Sequence, residues 1–215
     1  MTESVRQRKP AGSAAAAAAN AAPSPLTKQS ILKHWPLVAL VGGLAALLFI
    51  SAPALLPFLP PAAASKHHER FSAFYKETYL PEHSQRGTQM LHVVGTVIML
   101  SQLARAPALG LALVLALALG LSVFPLMRWL STGIVEMALM LGVYLYVGTV
   151  LTGSARRAFV VPLIGYGFAW AGHFFVEHNK PTTFLYPVFS LVGDFQMCIE
   201  LIAGAVVNAV VPKTA

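Results

Sequence analysis

Four residues with chemistry to offer stand in two short stretches, "EHSQRGTQMLH" and "WAGHFFVEHNKP". They are His83, His92, His173 and Glu177. His173 and Glu177 are four apart, so on an α-helix they share a face, about 6 Å from each other along the axis. His178 falls about 140° around from His173 on the same helix, and its side chain points elsewhere. Imidazole and carboxylate donors suit iron, zinc or manganese. Two histidines and one carboxylate with open positions suit non-haem Fe(II) and O₂ chemistry. Three histidines and a carboxylate contributed by two helices can supply such a ligand set. Asp194, the chain's only aspartate, lies in "SLVGDFQMCIE" and reads either as a group that orients a ligand histidine or as a helix-packing residue. For each histidine taken singly, a hydrogen-bonded structural role is the competing reading. Their convergence favours a site, because ionisable groups at membrane depth are costly and tend to mark function.

The elements that must position these residues are membrane helices. Of 215 residues, 56% are hydrophobic and only 11% charged, far below the roughly 25% of a soluble domain. The expected fold is all-α, a polytopic transmembrane bundle of about six spans. The first is 36–60; the others are Met90–Leu103, Pro107–Met127, Gly133–Leu151, Phe159–Glu177 and about 184–210. Four crossings, an even number, separate the start of the second span from the end of the fifth. His83, His92, His173 and Glu177 therefore face one side of the membrane, and the span carrying Asp194 opens from that side too.

The charge of +7 does not point to nucleic acid. The first 35 residues contribute five Lys/Arg against one Glu, and basic residues flanking spans serve topology and anionic lipid. Nine Lys/Arg against six tilt the amino terminus towards the cytoplasmic side. Residues 1–35 read as a disordered Ala/Pro-rich basic tail, with a transit peptide as a second reading. "SKHHERFSAFYKETYLPEH" reads as an interfacial amphipathic helix, with Phe71, Phe74, Tyr75 and Tyr79 on one side and Lys66, Arg70 and Lys76 elsewhere. His67 and His68 belong to its solvated face. Glu136 and Glu200 read as packing or interface residues. Cys198 is the only cysteine, which excludes an intrachain disulfide framework.

The stretches "FYKETYLPEHSQRGTQMLHVVGT" and "GYGFAWAGHFFVEHNKPTTFLYPVFSLVGDF" resemble the family of small multispanning membrane proteins that contains a fungal 2-hydroxy fatty acid dioxygenase. The resemblance covers roughly residues 71–203. It places the family's H-x₈-H element on His83 and His92 and its G-H-x₃-E element on Gly172, His173 and Glu177. The "HNKPTTFLYPVFSLVGDF" continuation is similar to bacterial-type members.

The resemblance implies Fe(II) held by His83, His92 and His173, and O₂ and a 2-hydroxy long-chain fatty acid as substrates. The acid is shortened by one carbon. It also implies an endoplasmic reticulum membrane in a eukaryote or an inner membrane in a bacterium. Glu177 carries over as a motif residue; it reads as a ligand or an orienting base and, with Asp194, is a candidate catalytic residue, while by charge and position Arg86 and Lys180 are candidates to hold a lipid carboxylate. The family-like domain is expected over residues 66–211, with 36–60 an extra amino-terminal span. A histidine-box desaturase is excluded, because it needs about eight histidines and the chain has seven. Two other classes remain: a transporter using His173, Glu177 and Asp194 as a proton relay, and a non-catalytic membrane organiser.

Overall fold

A computed structural model describes residues 32–210, with side chains to residue 206. The predicted tail, apart from its last few residues, lies outside the described region, and so does the transit-peptide reading. The chain is all-α. Its helices are α1 Trp35–Leu55, α2 Phe71–Phe74, α3 Arg86–Arg105, α4 Pro107–Val123, α5 Ile134–Thr152, α6 Ala155–Ala171 and α7 Pro187–Val210. α2 runs on as a π-turn over Tyr75–Tyr79, and α6 as a second one over Gly172–Glu177.

Five of the helices, α1 and α4 to α7, are long and apolar enough to cross a membrane. The predicted second span is the exception. Its helix, α3, has 20 residues, but Arg86, Gln89, His92, Gln102 and Arg105 dilute its apolar character. It is long enough to span, packs against α6 and α7, and leaves Met90, Val94, Val97 and Leu100 facing outwards. α1 packs chiefly on α4 and leaves Leu40, Leu47, Phe49 and Ile50 facing outwards, as a lipid-facing helix does.

Two close approaches bring the site-bearing helices together. A Cβ at Gly172 would lie 2.9 Å from the Thr88 side chain, so glycine there lets α6 and α3 touch where both enter the site. A Cβ at Gly193 would lie 2.8 Å from the Tyr79 ring, so the tyrosine lies flat on α7 beside Asp194. Small residues drive helix contact in lipid, where hydrophobic burial between helices supplies little.

The region expected to be an interfacial helix differs from that reading. The helix begins only at Phe71, and Phe74, Tyr75 and Tyr79 are buried against Phe124, Tyr186 and Phe189. Lys66 is fully buried and forms an ion pair with Glu136 in the first turn of α5. A lysine is tolerated at such a place because a carboxylate meets it. His67 is exposed as expected, but His68 is buried. The His68 backbone N–H donates to the Tyr186 hydroxyl, and its Nε2 lies 2.7 Å from Thr78 Oγ1.

Candidate metal centre

The turn Pro81–His83, the first turns of α3, and the π-turn that ends α6 place three imidazoles against one another. Their ring centroids are 4.6 Å (His83–His92), 4.6 Å (His83–His173) and 5.3 Å (His92–His173) apart. The planes are nearly perpendicular, so the rings meet by their edges. One donor nitrogen from each lies within 4.8 Å of the others, and all three residues are buried.

The other ring nitrogen of each histidine is already engaged, and each partner fixes a tautomer. His83 Nδ1 lies 2.6 Å from the Tyr79 carbonyl, which can only accept, so Nδ1 carries the proton. His92 Nδ1 lies 2.9 Å from Asp194 Oδ1, and the Tyr79 hydroxyl donates to that same oxygen. His173 Nδ1 lies 2.7 Å from Asn179 Oδ1. The Asn179 amide cannot be reversed, because its Nδ2 donates to the Glu82 carbonyl at 2.9 Å.

All three Nε2 lone pairs are thereby left free. The Nε2 atoms of His83 and His92 are buried and have no partner among the described residues. Leaving buried polar atoms unpaired costs about 1–3 kcal/mol each, so two of them aimed into one cluster call for an occupant. Burial, reinforced by the neighbouring His92, pushes the His83 imidazole down to about 3, so it is neutral at physiological pH and able to ligate. Three imidazoles, each braced through its Nδ1 by a carbonyl, a carboxylate or an amide, form a donor set that fits a divalent first-row metal.

Local backbone explains the bracing. His178 adopts φ +55°, a left-handed conformation that stops the π-turn. The Asn179 N–H then reaches the His173 carbonyl at 3.0 Å, bringing the Asn179 side chain back over the ring it holds. The His178 side chain is exposed.

Glu177 is not one of the three residues gathered around the donor cluster. Its carboxylate accepts from the Gln85 N–H at 2.6 Å and from Ser84 Oγ at 3.2 Å. Gln85 is the N-cap of α3 and has no side-chain cap of its own, so Glu177 caps that helix from across the site. Gln85 Nε2 in turn donates to the Val176 carbonyl, and Gln89 Nε2 to the His83 carbonyl. Arg86 and Lys180 are exposed and form no ion pair among the described residues.

Tyr79 and Asn179 are parts of the site that sequence reasoning missed. Tyr79 stands four residues before His83, one helical turn away, and Asn179 follows the left-handed residue that ends the π-turn. The first spacing is visible in the sequence, but the second depends on a turn type that is not.

Fold and cluster together define a multi-pass, all-α membrane protein with a buried three-histidine site able to hold a metal ion. Residues 68–206 match the sequence family described as 2-hydroxy-palmitic acid dioxygenase Mpo1-like. The chain belongs to that family, and the match includes every residue of the cluster and its braces. No curated protein and no solved structure matches the chain.

Proposed function

We propose that this protein is an Fe(II)-dependent dioxygenase of 2-hydroxy fatty acids, with His83, His92 and His173 as the iron ligands. The observation that carries the reading is the set of three buried, braced imidazoles with one donor nitrogen of each within 4.8 Å of the others, in a chain of this family. Iron(II) at that point supplies O₂ activation and open positions for substrate oxygens. The overall change R–CH(OH)–COOH + O₂ → R–COOH + CO₂ + H₂O balances without an external reductant.

The chain's own residues do the rest. Tyr79, Asp194 and Asn179 hold the ligand rings in the tautomer that points Nε2 inwards. Asp194 also places a carboxylate next to His92, raising its basicity as a ligand. It acts through that imidazole and is a positioning residue. Glu177 fixes the start of α3 and so the depth of His92. An apolar cavity opens beside His92 and Asp194 and is lined further by α3, α4, α5 and α6, a place for an acyl tail away from water.

The test is O₂ uptake by the iron-loaded protein in detergent, with 2-hydroxypalmitate and palmitate compared and the product identified by mass. The reading requires uptake with the hydroxy acid only and a product one carbon shorter. Iron-loaded protein that consumes no O₂ with any 2-hydroxy acid refutes it. A transporter or an organiser has no use for two buried, unpartnered Nε2 atoms in one cluster of three histidines, and neither is favoured by a specific observation.

A further inference from the structure

The cavity beside the metal centre has one polar end and one apolar end. His92 and Asp194 stand at the first; Thr96, Tyr166, Met99 and Gly165 follow along its walls. Met99 lies seven residues beyond His92 on α3, about 10 Å along the helix axis. Gly165 lies opposite: a Cβ built on it would meet Met99 Sδ at 3.6 Å, an ordinary contact, and no other heavy atom nearer. Both residues line the cavity at this level, and residue 165 contributes no side chain to narrow it. Nearer the histidines on the same pair of helices, a Cβ at Gly95 would lie 2.7 Å from Phe168, so glycine there closes the helices and does not open a space.

We infer that Gly165, with Met99 facing it, is the specificity-determining point for acyl-chain length, the open gate that lets a long chain pass beyond the first part of the cavity. The inference rests on the proposed function for the head of the ligand. An extended chain advances about 1.3 Å per methylene, given a C–C bond of about 1.5 Å. A chain whose carboxyl end sits at the histidines thus reaches the Gly165–Met99 level after about eight methylenes. Shorter acids end before that level, and longer ones must pass it. Leucine at 165 is accommodated at its Cβ, and its branches enter the passage.

The test measures binding, so that it is separate from turnover. Full-length Fe(II)-loaded protein is held without O₂, and 2-hydroxyoctanoate, 2-hydroxydodecanoate and 2-hydroxypalmitate compete against a fluorescent polyene fatty acid. Gly165→Leu is expected to weaken 2-hydroxypalmitate by about ten-fold or more, as overpacking does, while changing 2-hydroxyoctanoate by less than about two-fold. Gly167→Leu is the control. It is two residues along the same helix and exposed, with nothing within 4 Å of its Cβ, and it should leave all three affinities unchanged.

Equal weakening of all three acids by Gly165→Leu, or of none, overturns the inference, and so does a wild-type protein that binds none of them. Chain-selective binding without O₂ consumption would sink the dioxygenase reading and leave the gate standing. Iron content equal to wild type in Gly165→Leu shows that the substitution acts on the passage and not on the metal centre.

Discussion

Asn179→Ala removes a residue that touches neither metal nor substrate in the arrangement described, yet it should weaken metal binding more than its position suggests. Asn179 makes two side-chain hydrogen bonds, to His173 Nδ1 at 2.7 Å and to the Glu82 carbonyl at 2.9 Å. The first fixes which nitrogen of His173 carries the proton. The second ties the end of α6 to the turn that carries His83, so one amide couples two of the three ligands. Losing two such bonds costs about 2 kcal/mol of stability at roughly 1 kcal/mol each. Losing the brace on one ligand histidine costs about 10- to 100-fold in metal affinity. Asn179→Asp separates the two effects. Its carboxylate still accepts from His173 Nδ1 but cannot donate to the Glu82 carbonyl, so it should keep most of the affinity and lose part of the stability. The assay is chelator competition for Co(II) or Fe(II), read by metal analysis, beside thermal unfolding of the same samples in detergent. Metal affinity of Asn179→Ala within about two-fold of wild type would refute the bracing argument, because His173 would then hold its ligating orientation without the amide.

Other expectations follow from single contacts. Lys66→Met leaves the buried Glu136 carboxylate without its cation and should cost about 3–5 kcal/mol, with most of it recovered in Lys66→Met/Glu136→Gln; thermal melts of both variants decide it. Glu177→Ala removes the cap on α3 and should cost about 0.5–2 kcal/mol while iron stoichiometry is kept; loss of iron from a well-folded Glu177→Ala would make Glu177 a ligand. Burial and the adjacent His67 hold the His68 imidazole below its usual value, partly opposed by Glu77; Thr78 and Tyr186 face it from the neighbouring elements. The unfolded chain thus binds a proton there more readily, so stability should fall as pH drops below about 6.5. His68→Gln should flatten that acid-side loss in melts run from neutral to mildly acidic pH.

What could be read from the sequence was whatever the bilayer makes expensive. His83, His92, His173 and Asp194 stood out because polar groups among apolar spans must be used or paired, and an even number of crossings put them on one side. The partner of Lys66 was hidden because Glu136 is 70 positions away, and a lysine before an aromatic segment looks the same whether it is solvated or buried. The aromatic side of Phe71–Tyr79 fits an interface as well as an interior, and the end of α4, α5, α7 and the loop before α7 decide for the interior. Glu177 was paired with His173 by ideal helix geometry. The π-turn and the left-handed His178 rearrange that end, giving His173 to Asn179 and Glu177 to the start of α3.

Everything proposed for this site requires three histidines to share one ion. Purified full-length protein, loaded anaerobically with Fe(II) and freed of excess metal, should retain about one iron per chain, and His83→Ala, His92→Ala and His173→Ala should each lose it while remaining folded and helical. Wild-type protein that keeps no iron, or any of the three variants holding as much as wild type, would contradict the central claim.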